Sequence, residues 1–222
     1  MNLEELKNRI FPNVEPWHHP ARLTMLPLTT INNIEYCIKE CVKNGIEGDY
    51  IECGVWRGGA VIFANEVFKS LGEKRKIYVA DSFEGLPIPD PQTYPADAGD
   101  SHYLMEDLKV SLEDVKNNFL LFGELEENIV FLKGWFKDTL PVCDVEKLCV
   151  LRADGDMYES TMDILTNLYP KLSVGGFCII DDFGHGGCVK AVHDYRLQNG
   201  ITDTIIRITP PPAYPSSYWI KS

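Results

Sequence analysis

From Gly48 onward, five short and mainly apolar runs recur with amphipathic stretches between them: Tyr50–Cys53, Ile77–Ala80, Ile129–Leu132, Leu148–Leu151 and Phe177–Ile180. Runs of four residues are too short for helices and suit strands buried on both faces. The intervening patterns, around Val61–Leu71, Leu112–Phe122, Thr161–Leu172 and Val189–Gln198, carry apolar residues at helical spacing. Such alternation predicts an α/β fold, a mostly parallel, doubly wound sheet with helices on both faces. Two final strand candidates, Thr204–Ile208 and Tyr218–Lys221, flank the Pro-rich stretch Pro210–Pro215 and predict an antiparallel hairpin on the sheet edge.

Residues 1–47 read as helices interrupted by the Pro16–Pro20 stretch, with Ile34, Cys37, Ile38 and Cys41 spacing the second. The expected organisation is one domain of 222 residues, a helical lid (1–47) on a catalytic core (48–222). Ser82–Asp107, rich in Pro, Asp, Gly and Tyr, is too long for an ordinary connection and predicts a lid or binding loop. A net charge of -12 disfavours nucleic acid and anionic membranes as partners. No apolar run approaches the roughly 20 residues of a membrane span, and MNLEELKNRIF lacks the basic start of a signal peptide. Seven cysteines form no CxxC pair and lie mostly in apolar stretches. They read as buried small hydrophobes in a reducing compartment, so a cytoplasmic protein is expected. A homo-oligomer is compatible with the sequence.

In open α/β sheets, ligands bind beyond the carboxyl ends of the strands. The first such end reads Glu52-Cys53-Gly54-Val55-Trp56-Arg57-Gly58-Gly59. This glycine turn is not GxGxxG, and an acidic Glu52 beside it suits a cationic, amino-acid-bearing ligand better than a pyrophosphate. The second ends in Ala80-Asp81-Ser82, where a carboxylate can bind two ribose hydroxyls of either NAD or S-adenosylmethionine. The third, Lys133-Gly134-Trp135-Phe136, offers aromatics that either stack on an adenine or plug the core. The fourth runs into Arg152-Ala153-Asp154-Gly155-Asp156 and the fifth into Asp181-Asp182. Four carboxylates on adjacent strand ends repel one another, which a hard divalent cation such as Mg²⁺ resolves. Arg152 can neutralise part of the same charge. His102 and His185 are candidate bases or acceptor contacts, and nothing resembles a nucleophilic triad.

Read in order, the strings GDYIECGVWRGGA, VADSFEGLP, YPADAGD, VSLEDVKNNF, FLKGWFKDTLP, LRADGDMYESTMD, LYPKLSVGGFCIIDDFG and AVHDYR resemble the macrocin O-methyltransferase family over roughly residues 48–200. The resemblance implies a class I methyltransferase fold of Rossmann-like type, S-adenosylmethionine as cofactor, Mg²⁺, and a small acceptor hydroxyl on a natural-product sugar. It implies that Glu52, Cys53, Gly54, Val55 and Trp56 hold the methionine portion and Asp81 the ribose. Ser82, Phe83, Glu84, Gly85, Ser111, Phe136 and Ser160 become further cofactor contacts, and Thr24-Met25 a capping pair. Asp154, Asp181 and Asp182 match metal ligands, and Asp156 matches the general base, with His185 or His102 as the alternative. The segments LPLTTINNIE (26–35) and ITPPPAYPSSYW depart from the family pattern where the acceptor is expected. Two other reactions compete: a cephalosporin-hydroxylase-like one on the same fold, and glycosyl transfer using Asp154-Gly155-Asp156 as a DxD motif.

Overall fold

The computed structural model describes residues 2–123, 125–208 and 215–222. Each apolar run is a strand in it: β1 (Asp49–Cys53), β2 (Ile77–Asp81), β3 (Ile129–Lys133), β4 (Leu148–Ala153) and β5 (Leu172–Ile180). Two short strands, β6 (Ile206–Arg207) and β7 (Ser217–Ile220), complete one sheet in the order β3-β2-β1-β4-β5-β7-β6. Strands β1 to β5 pair in parallel, and β7 runs antiparallel to both β5 and β6. The antiparallel edge therefore stands where the sequence put it. Of the expected turn at Pro210–Pro215, only Pro215 lies within the described residues.

Side chains alternate across the sheet as the strand period requires. Tyr50, Val79 and Ile179 enter a core shared with α1 (Leu3–Ile10), α2 (Leu28–Lys43), α3 (Gly59–Ser70) and α4 (Leu112–Leu121). Ile51, Tyr78, Leu151 and Ile180 enter a second core, with the short α5 (Phe136–Thr139), α6 (Tyr158–Leu168) and α7 (Gly186–Gln198). Both faces are thus covered, and six of the seven cysteines are buried as free thiols. No helix among the described residues is long and apolar enough to cross a membrane.

Three features differ from the sequence reading. The sixth helix stops at Leu168, not Leu172, because Pro170 has no N–H to continue the ladder; a 3-10 turn over Tyr169–Lys171 intervenes. Strand β5 starts at Leu172, five residues early, through Gly175 and Gly176. A Cβ on Gly176 would lie 2.8 Å from the Cys149 carbonyl oxygen, so glycine lets the strands close there. Finally, α1 and α2 belong to the helical layer, with Leu6, Ile10, Ile34 and Ile38 fully buried. Only the connection between them, residues 11–27, reaches the cleft.

Candidate active site

A cleft opens over the carboxyl ends of β1, β2, β4 and β5. Its two lobes share Met25, Gly54, Trp56, Leu108, Asp154 and Asp156. The turns that build it are tight. Gly54 has φ +85°, and a Cβ there would collide with the Asp154 carbonyl oxygen. Among the described residues, the non-glycine residues with positive φ are Trp56 (46°), Phe83 (57°) and Asp156 (53°). All three stand on turns after β1, β2 and β4. Left-handed backbone in side-chain-bearing residues is strained and concentrates at functional sites.

One lobe is lined by Gly54, Asp81, Ser82, Gly85, Phe136 and Ser160, together with Trp135. Asp81 accepts from the Val55 N–H (2.8 Å) and the Phe83 N–H (2.7 Å), which ties the first two turns together. Burial raises its carboxyl, while those backbone donors pull the other way. Ser82 is buried and donates to the Gly85 carbonyl (2.6 Å), closing the second turn. Thr24, Met25 and Val55 line the other lobe, Met25 facing both. Four expected contacts stand apart from these walls. Cys53 and Phe83 pack in the cores, Glu84 is exposed, and Ser111 is the exposed N-cap of α4, accepting from the Asp114 N–H (3.1 Å).

Glu52 is not in the turn but inside β1, only 2% exposed. Tyr50 donates to it at 2.7 Å and Arg152 at 3.1 Å. It reaches the second lobe beside Arg152, Asp154, Asp181 and Asp182. Arg152, 1% exposed, also pairs with Asp154 (3.0 Å) and Asp181 (2.8 Å). The expectation that Arg152 takes up part of the charge therefore holds. One guanidinium still cannot balance Glu52, Asp154, Asp181 and Asp182 together. Burial and mutual repulsion hold the Asp154 and Asp182 carboxyls well above the usual range. Oxygens of Asp154, Asp181 and Asp182 lie within 4.8 Å of one another, a hard, all-oxygen donor set.

Asp156 lies beside this set, and its N–H donates to Asp182 (3.1 Å). Burial first, then the charges of Asp154, Asp181 and Asp100, push its carboxyl up to about 8. Both candidate histidines also reach the cleft. His102 and His185 stack edge to face at 4.9 Å, with Asp100 holding His102 Nδ1 at 3.0 Å. Burial lowers the His185 imidazole, helped by neighbouring His102. Donor atoms of Asp156, Asp182 and His185 fall within 4.8 Å of one another, so either side chain can reach the same acceptor oxygen.

Sequence reasoning expected a roof from the N-terminal segment and the long loop but missed what anchors it. Arg57 donates to the carbonyls of His18, His19 and Arg22, fixing the connection that carries Trp17, Thr24 and Met25. Trp56 Nε1 donates to the Asp107 carbonyl (2.8 Å) and anchors the long loop from the same turn. Ser216, which lines the acidic lobe, donates to Asp181 at 3.1 Å. The available signal was the arginine inside the glycine turn, too polar for a core and too close to the site for a solvated face.

A family model described as Macrocin-O-methyltransferase (TylF) matches residues 10–219. The chain is 46% identical over 189 residues to the mycinamicin III 3''-O-methyltransferase of Micromonospora griseorubida, covering 83% of this chain and 74% of that one. It is also 46% identical over 187 residues to the 8-demethyl-8-(2,3-dimethoxy-alpha-L-rhamnosyl)-tetracenomycin-C 4'-O-methyltransferase of Streptomyces olivaceus, covering 83% and 72%. The solved structure of the O-methyltransferase NovP superposes with a TM-score of 0.86 at 35% identity, covering 99% of this chain and 98% of that one.

Proposed function

The chain belongs to the macrocin O-methyltransferase family, and from that premise we propose that it moves a methyl group from S-adenosylmethionine to a sugar hydroxyl of a natural-product glycoside, with a divalent cation at the acidic lobe. Of the reactions the sequence left open, methyl transfer is the one the family carries. The observation that carries the rest is one continuous cleft with nucleoside-type turns in one lobe and a hard carboxylate set in the other.

The residues present fit both groups. Asp81 keeps lone pairs free beyond its two backbone donors, in a lobe that Gly54, Ser82 and Gly85 also line. S-adenosylmethionine supplies an activated methyl on a sulfonium when bound. The acidic lobe carries more buried carboxylates than Arg152 can balance, which is the condition a hard cation relieves. Asp154, Asp181 and Asp182 would hold it, and the chemistry it supplies is a lowered pKa for an adjoining hydroxyl.

The chain's own part is alignment and proton removal. Asp81 orients the nucleoside, and Phe136 and Trp135 offer faces for its base. Trp17, Met25 and Leu26 form an apolar wall that excludes water from the acceptor. Asp156 takes the acceptor proton, and its strained turn holds the carboxylate toward that oxygen. The aglycone then lies against the apolar wall while the sugar faces the carboxylates.

Calorimetry with S-adenosylhomocysteine, followed by methyl transfer in EDTA and in Mg²⁺, tests the reading. Micromolar or tighter binding is expected, with turnover lost in EDTA and restored by Mg²⁺. Asp182→Asn should stop turnover yet leave cofactor affinity nearly unchanged. Tight NADH binding without a response to S-adenosylhomocysteine overturns the cofactor, and full activity in EDTA overturns the metal.

A further inference from the structure

The reading above gives no part to Asp97, a carboxylate only 3% exposed in the middle of the long loop. It ends the 3-10 turn Pro95–Asp97 and accepts two hydrogen bonds from another element. The Tyr158 N–H donates to its Oδ1 (2.6 Å) and the Glu159 N–H to its Oδ2 (3.0 Å). These are the first two amides of α6, whose N-cap residue, Met157, makes no side-chain cap bond. Asp97 therefore supplies the cap from a distance of about 60 residues along the chain. Its charge also meets the positive end of the helix.

Neighbouring contacts continue the grip. The Tyr94 ring lies 6.1 Å from that of Tyr158, and the Tyr158 hydroxyl donates to Asp194 of α7 (2.9 Å). A Cβ on Gly187, at the start of α7, would stand 2.8 Å from Asp97 Oδ1, so both helices close on this carboxylate. The two amides it captures follow Asp156 by two and three residues. In the other direction, Asp100 and His102 follow Asp97 by three and five, facing His185. One side chain thus joins the loop to the turn that carries the base.

We propose that Asp97 is a positioning residue, a latch that holds the 95–108 loop on the α6 N-terminus and sets the Gly155–Asp156 turn against the acceptor. This rests on the reading of Asp156 as the base. A latch of this kind acts on the rate of the chemical step and leaves the ribose side of the nucleoside lobe as it is, because Asp81, Ser82 and Gly85 are held by their own bonds.

The test uses the full chain with S-adenosylmethionine, Mg²⁺ and methyl α-L-rhamnopyranoside as a vicinal-diol acceptor. Asp97→Ala and Asp97→Asn are compared, each alone and with Asp156→Asn, by single-turnover rate, acceptor KM and amide hydrogen exchange. Asp97→Ala should speed exchange at Tyr158 and Glu159 at least about tenfold and slow the chemical step by about the same factor. Asp97→Asn, which keeps one acceptor oxygen, should fall between it and the unaltered enzyme. The affinity for S-adenosylhomocysteine should stay within about twofold. In the Asp156→Asn background the added loss of rate should shrink to about twofold or less. Unchanged exchange and rate in Asp97→Ala overturn the latch, and an undiminished loss in the Asp156→Asn background overturns its route through Asp156. Should Asp97→Ala not fold, Asp97→Asn carries the same comparisons. An Asp156→Asn enzyme at full rate refutes the base instead, and the latch is then judged by exchange and acceptor KM.

Discussion

Asp156 pairs a left-handed backbone with a carboxyl crowded by other carboxylates, and its N–H, bonded to Asp182, sets the turn before any ligand arrives. Asp156→Asn should keep cofactor binding and cut kcat by roughly 10²–10⁴-fold, the range for a positioned base. His185→Gln is the counter-experiment in a single-turnover assay: if only the histidine variant loses the chemical step, the base is misassigned. Asp81→Ala should weaken S-adenosylhomocysteine binding by about 1–3 kcal/mol in a calorimetric titration, the scale for hydrogen bonds to a charged group. Unchanged affinity there would leave Asp81 as a brace between two turns. Asp81, Asp154 and Asp181 were legible because an apolar strand running into a carboxylate has few structural explanations. Asp97 was not, since nothing local distinguishes it from the other aspartates of a polar loop; its partner amides lie about 60 residues away.

Among the elements, the turn from Gly54 to Gly59 does more than admit a ligand. Arg57 holds three carbonyls of the α1–α2 connection, and Trp56 holds the long loop at Asp107, so both roofs of the cleft hang from adjacent residues. Arg57→Ala should therefore raise hydrogen exchange across residues 18–23 and weaken S-adenosylhomocysteine by about tenfold, a loss of about 1.4 kcal/mol. Lysine should not rescue it, because one ammonium cannot reproduce a planar fork serving three carbonyls. Normal exchange in Arg57→Ala would show that the connection is held by its other contacts. Strands and helices were readable to within a few residues because hydrophobic period is a local signal. Two boundaries moved: Pro170 ended the sixth helix through its own missing N–H, and the Gly175-Gly176 pair let β5 begin early through a close strand approach that a neighbour across the sheet sets. Residues 11–27 and 82–108 carry no period at all. Their shape comes from bonds to distant turns.

At the scale of the whole molecule, a chain of net charge -12 gathers its most crowded carboxylates inside one cleft. Asp156, which both lobes share, is pushed up to about 8 and Asp163, in the nucleoside lobe, to about 6. Between pH 4 and 8 the folded chain then binds protons that the unfolded chain has released, so raising the pH through that window lowers stability. A cation at the acidic lobe displaces protons held by the carboxylates crowded around it, Asp156 among them, and should be taken up with proton release. The melting temperature in EDTA should accordingly fall from pH 5 to pH 8.5, and Mg²⁺ should raise it most at the upper end. A melting temperature in EDTA that climbs with pH would count against the crowded cluster. The left-handed turn at Asp156 has a further consequence. Glycine adopts that backbone freely, so Asp156→Gly should relieve about 1 kcal/mol of strain, offset in part by the freedom glycine adds to the unfolded chain, and empty a charge from the cluster. On the reading of Asp156 as the base, that gain in heat resistance comes with loss of the chemical step, so a library selected for thermal tolerance in EDTA has to be screened for turnover at the same time.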